Sequence, residues 1–120
     1  MNTSNRPFTV TLRHIGINGQ NQQDAEKTAK LFSDLFGLGY KSGNSSVFAG
    51  SIVEVMKQPY LGRCGHIALG VDSIEETEKY FSEAGYPFLP ETMKKDSEGR
   101  MKAVYLAGDF GGFAVHLLRN

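Results

Sequence analysis

The chain has a single cysteine, no surplus of charge and no long apolar run, and each shortage excludes something. Cys64 alone cannot form an intrachain disulfide. Its 13 basic and 13 acidic residues cancel, and no block of like charge runs longer than a pair such as Lys94-Lys95, so there is no footprint for nucleic acid or an anionic membrane. No segment has the apolar core of a signal peptide or the length of a membrane span. The expected setting is a reducing cytoplasm and the expected partner a small molecule or protein. At 120 residues the chain is one domain over 7–120, because each half alone is too small to bury an adequate core. Met1 to Arg6 are polar and expected to fray.

What the chain does have is repetition. Arg13-His14-Ile15-Gly16-Ile17 is restated as Gly65-His66-Ile67-Ala68-Leu69, an offset of fifty-two residues, and the helix signals opened by Asn21 and Ser73 keep that offset. Internal repeats constrain a whole fold. The first module spans 7–58 and the second 63–119, joined by the short Pro59-Tyr60-Leu61-Gly62.

In the first module, Pro7 to Ile17 reads as a strand with Val10, Leu12, His14 and Gly16 on one face and Thr11, Arg13, Ile15 and Ile17 on the other. Asn21 with Asp24 predicts an N-cap, and Ala25, Ala29, Phe32, Leu35 and Phe36 recur at helical spacing until Gly37. Gly43-Asn44 predicts a two-residue hairpin turn at positive φ between Tyr40–Ser42 and Ser45–Ala49. Ser51 to Lys57 follows as a strand with Glu54 and Met56 opposite Val53 and Val55. The second module repeats this order. A strand carries His66 and Ala68 opposite Ile67, Leu69 and Val71, and a helix opens on Ser73-Ile74-Glu75-Glu76. A hairpin turns at Lys95–Gly99, a candidate lid, and a last strand sets Ala114, His116 and Leu118 opposite Phe113, Val115 and Leu117. The fold class is α+β: two βαβββ units whose eight strands curve around a shared cleft.

Every histidine, together with Glu54, lies on the strand face that no helix covers. His14 and His66 hold matching positions in the first strands, and Glu54 and His116 in the last. Three imidazoles and a carboxylate suit a divalent transition metal, whether zinc, nickel, cobalt, manganese or ferrous iron. The competing reading is a buried polar network of the same four residues without metal. Phe48, Met56 and Tyr105 are candidates to wall the cleft, and Arg100 and Lys102 to contact an anionic substrate. Arg13 and Arg63 alternate toward the helix side. Cys64 shares the face of His66.

The stretches His14-Ile15-Gly16-Ile17, Val53-Glu54-Val55, His66-Ile67-Ala68 and Gly111-Gly112-Phe113-Ala114-Val115-His116 resemble the glyoxalase/bleomycin-resistance group of the vicinal oxygen chelate superfamily. Within it, Asn44–Gly50, Val53–Lys57 and Pro59–Gly62 look most like the glyoxalase-like domain attached to some 2-keto-3-deoxy-6-phosphogluconate and 4-hydroxy-2-oxoglutarate aldolases. The resemblance implies a metal held by one residue from each of four strands, a homodimer with intact or exchanged modules, and a lyase or isomerase acting on a small 2-oxo acid or hydroxy-carbonyl metabolite. The alternative it implies is a noncatalytic binding domain beside an aldolase. Glyoxalase I carries a glutamate at its last ligand position where this sequence has His116, and no glutathione-binding set is present. Lactoylglutathione lyase activity is therefore not implied.

Overall fold

The computed structural model describes residues 6–120. Of the segment expected to fray, only Arg6 lies among them, with its guanidinium 5.3 Å from the centroid of the Tyr80 ring. The elements run β1 (Thr11–Asn18), α1 (Gln22–Phe36), β2 (Tyr40–Ser42), β3 (Ser46–Ala49), β4 (Val53–Met56), β5 (Gly65–Val71), α2 (Ile74–Glu83), β6 (Phe88–Lys95), β7 (Met101–Leu106) and β8 (Phe113–Arg119). They form one sheet in the order β2-β3-β4-β1-β5-β8-β7-β6. The repeat is visible in its register. In each half the last strand pairs parallel with the first, Gly16 beside Glu54 and Ala68 beside His116. The two first strands meet antiparallel in the middle.

Both helices start where side chains satisfy backbone donors. Asn21 accepts from the Asp24 N–H at 2.8 Å and Ser73 from that of Glu76 at 3.2 Å. Gly37 ends α1 at φ 68°, a conformation open to glycine without strain. Each helix covers its own half of the same sheet face. Ala25 and Ala29 lie on Val47, Val53 and Val55, and Ile74 is buried with Val71, Val104 and Leu117. The opposite face is left for the polar residues.

Four expectations fail for local reasons. The periodicity of α1 continues past its buried stripe, so Leu35 and Phe36 stand 67% and 69% exposed. Neither Gly43 nor Asn44 adopts positive φ; Ser42 pairs with Val47, and the longer turn closes with the Gly43 N–H donating to the Ser46 carbonyl at 2.8 Å. β1 is irregular between Leu12 and His14, which brings the side chain of Arg13 to the face of His14, where it donates to Asn120 at 3.3 Å. Finally, the 95–99 turn is no lid. Asp96 accepts from the backbone N–H groups of Glu98 and Arg100 and from Arg119, while Glu75 on α2 accepts from Met101 N–H at 2.8 Å. The turn is fastened on the helix side of the sheet.

Candidate metal centre

Four neighbouring strands, β4, β1, β5 and β8, each bring one residue to the middle of the open face. His66, 1% exposed, lies across from Gly16. A Cβ built on Gly16 would overlap the His66 ring at Cε1, Nδ1 and Nε2, so the strand crossing itself needs glycine there. Nε2 of His14 and Nε2 of His66 are 3.2 Å apart. Oε1 of Glu54 stands 3.2 Å from the first and 3.1 Å from the second. Donor atoms of His14, His66 and His116 all fall within 4.8 Å of one another, as a metal-holding group would. The other oxygen of Glu54 accepts from the Ser46 hydroxyl at 2.7 Å. His116 is stacked on Tyr105, with centroids 4.1 Å apart and planes 1° from parallel.

The electrostatics suit donors. Burial alone would raise the Glu54 carboxyl, but hydrogen bonds from His14, His66 and Ser46 and the charge on His14 outweigh it and hold the group well below the usual carboxylate range. Burial first, and then the charges of His66 and His14, push His116 down to about 4, so its imidazole is neutral at neutral pH with a lone pair to offer. Burial and the charge of Glu54 push the Tyr105 phenol above its ordinary value.

The triangle formed by His14, His66 and Glu54 can be set against both readings, a metal site and a proton network. Each imidazole nitrogen carries either one hydrogen or one lone pair, directed in the ring plane. With Glu54 ionised, protons on both Nε2 atoms leave those two facing as donors, and a proton on only one leaves the other facing the carboxylate as an acceptor. Every assignment frustrates one edge. A cation removes the conflict, since bonds of about 2.1 Å set neighbouring donors about 3.0 Å apart in octahedral and about 3.4 Å in tetrahedral coordination. The observed edges of 3.1–3.2 Å lie between. Nδ1 of His66 and Nδ1 of His116 are buried without a hydrogen-bond partner among the described residues; Nε2 of His66 is the atom turned to the triangle, so its unpartnered Nδ1 is common to both readings.

Space flanks the cluster on two sides. A cavity of about 350 Å³ is bordered by Glu54, His66 and His116 together with Met56, Tyr60, Thr92, Lys94 and Tyr105. A second, of about 660 Å³, lies against His14, Phe48, Arg13 and Leu118. Met56 and Tyr105 thus wall the same side as His66, and Phe48 walls the other, its ring edge-on to His14 at 5.5 Å. Arg100 borders neither cavity; it pairs with Asp96 at 3.3 Å and Glu98 at 2.7 Å. Lys102 is exposed and borders neither. Cys64 is exposed outside both cavities, and Arg63 lies 3.8 Å from Asp109.

Sequence reasoning passed over Ser46, Tyr60, Thr92 and Lys94. The alternation that pointed to Phe48 also puts Ser46 on the open face. Tyr60 belongs to the inter-module joint, where no periodicity applies, and Lys94 reaches the face only through an irregularity in β6.

No protein-family model matches the chain, and no curated protein sequence does. Solved structures do. A methylmalonyl-CoA epimerase is similar at a TM-score of 0.66 and 19% identity, covering 96% of this chain and 98% of that one. A hypothetical protein from Bacillus halodurans is similar at 0.62 and 19%, covering 93% and 95%. Methylmalonyl-CoA epimerase from Streptomyces coelicolor, bound to 2-nitronate-propionyl-CoA, gives 0.63 and 15%, covering 93% and 99%. The curved eight-stranded sheet with two helices is the glyoxalase-like, vicinal oxygen chelate fold.

Proposed function

We propose that the chain is a metal-dependent lyase or isomerase acting on a small 2-oxo acid or hydroxy-carbonyl metabolite, with His14, Glu54, His66 and His116 as ligands for zinc, nickel, cobalt, manganese or ferrous iron. The observation that carries the reading is the triangle of donor atoms, whose contacts no arrangement of protons satisfies while Glu54 is ionised and whose edges suit coordination to one ion. A bound divalent ion supplies Lewis acidity, stabilising negative charge that develops on a substrate oxygen. The chain's own residues do the rest. Ser46 holds the Glu54 carboxylate in orientation, and the stacked Tyr105 fixes the plane of His116. Met56, Tyr60 and Tyr105 give the adjoining cavity its walls.

A second reading rests on one observation. Glu54, the only carboxylate bordering that cavity among the described residues, is committed to His14, His66 and Ser46, which leaves no evident general base. A noncatalytic metabolite-binding domain, acting alone or beside a sugar-acid aldolase, needs none. Homodimer formation is part of either reading and is read from the mass in solution.

Elemental mass spectrometry on untagged protein, beside His66→Ala and His116→Ala, tests the centre. Near-stoichiometric metal lost in both variants is the expected result; no uptake after reconstitution with each ion overturns it. Turnover of a 2-oxo acid that stops on chelation supports the enzyme, and saturable binding without consumption supports the binding domain.

A further inference from the structure

Lys94 is, among the described residues, the one lysine or arginine bordering the cavity beside His66 and His116, and its position there is a built feature of the strand. Leu89 pairs with Tyr105 and Lys94 with Ala103, so β6 advances five residues while β7 advances two. The bulge is pinned by Thr92, whose hydroxyl donates to the Leu89 carbonyl at 2.7 Å and accepts from the Tyr105 N–H at 2.9 Å. Bulges of this kind re-aim side chains next to sites. Pairing opposite Ala103, two residues before Tyr105, sets Lys94 on the face that Tyr105 shares with His116.

No ion-pair partner for Lys94 occurs among the described residues. Glu54, the only acid on the cavity wall among the described residues, is turned to His14, His66 and Ser46. Edge strands commonly carry lysine to discourage pairing with other chains, and Lys95, which lies outside the cavity, meets that description. Lys94 does not need that explanation. An ammonium on a cavity wall with no carboxylate opposite is the complement of a ligand's single negative charge, and the phenol of Tyr60 on the same wall adds a hydrogen-bond donor.

We infer that Lys94 is the anchor for a substrate carboxylate: the ligand is a small acid whose carboxylate sits on the Lys94 ammonium, leaving an adjoining carbonyl or hydroxyl oxygen directed at the four-residue centre. The inference rests on the metal-site reading for the second half of that statement and on the cavity for the first. It restricts the substrate class to acids and assigns specificity to a residue in the bulged strand of the second module.

The test compares two ligands of similar size, 2-oxobutyrate and the neutral butane-2,3-dione, by calorimetric titration of protein loaded with nickel or cobalt and of metal-free protein. Lys94→Met is expected to weaken 2-oxobutyrate about 10-fold, or about 1.4 kcal/mol, to leave butane-2,3-dione and metal stoichiometry unchanged, and to reduce the salt dependence of oxo-acid binding. Lys94→Arg is expected to keep most of the affinity. Equal weakening of both ligands, no weakening of the oxo acid, or no oxo-acid binding by the wild type at millimolar concentration overturns the inference. Failure of the metal reading looks different: no ion is taken up, and the ratio between the two ligands in metal-free protein decides Lys94 alone.

Discussion

The two modules share a register and differ in how they fill it. In the first, α1 runs fifteen residues and approaches the sheet closely through Ala25 and Ala29. In the second, α2 runs ten and stands off on Ile74, with Phe81, Phe88 and Phe8 filling the interval. The final strands differ in the same spirit. Glu54 faces Phe48 across the ladder and takes a hydroxyl from Ser46, whereas His116 faces Tyr105 and is stacked by it. A charged donor receives a hydrogen bond and a neutral one receives an aromatic plane. Strand pairing therefore sets where donors stand, and neighbouring side chains set what kind of donor each is.

The largest effects should come from exchanging the two ways of filling the core. Ile74→Ala leaves a cavity under a short helix with nothing to fill it and should cost about 2–5 kcal/mol. Ala29→Leu forces α1 away from Val47 and Val55 and should cost about 1–3 kcal/mol. Denaturant unfolding of both variants reads the difference. If Ala29→Leu is neutral, the close approach of α1 is not what holds the first module, and the comparison fails.

Next comes the pair of positions that the repeat makes equivalent, Gly16 and Ala68. Each faces the other module's histidine across the central pairing, yet only one has room for a methyl group. The His66 ring occupies the space beside Gly16, while His14 follows the irregularity in β1 and lies edge-on to Phe48. Gly16→Ala should lower stability by about 1–3 kcal/mol and reduce metal uptake by displacing His66. Ala68→Gly should cost about 1 kcal/mol or less through backbone entropy and leave uptake intact. Full metal in Gly16→Ala would show that the His66 ring has another place to go.

Much of this was legible in the residues. The offset between His14 and His66 and the alternation around Glu54 and His116 are enough to put these four on one face, because a strand's period of two carries a side chain's direction with it. The helix caps at Asn21 and Ser73 follow from local hydrogen bonding and needed no tertiary knowledge. What escaped was whatever broke the period. The irregularity before His14 turned Arg13 to the open face, and the bulge after Leu89 put Lys94 into the cavity. Arg100 escapes the pattern for the opposite reason: a turn rich in charge can satisfy itself, and Asp96 takes up donors of Arg100. The exposed end of α1 shows that apolar spacing indicates a possible face and not how far the sheet beneath it extends.

The smallest expected effect separates the two hairpins. The turn at Gly43 is closed by backbone and by Lys57, which donates to the Gly43 carbonyl at 2.6 Å, so it has no acid to titrate. The turn at Asp96 is closed by a carboxylate whose pKa is lowered, chiefly by the Arg100 backbone N–H, against burial, which raises it, and with help from the Glu98 N–H and the Arg119 side chain. A carboxyl with a lowered folded-state pKa adds stability above its unfolded value of about 3.9 and loses that contribution as the pH falls through the folded value. Asp96→Asn should therefore unfold more readily than wild type near neutral pH, and the gap should close on acidification below about pH 4. It should also narrow with added salt, because most of the partners are exposed. A gap that persists unchanged into acid would mean that Asp96 acts through the shape of the turn, which asparagine disturbs, and not through its charge.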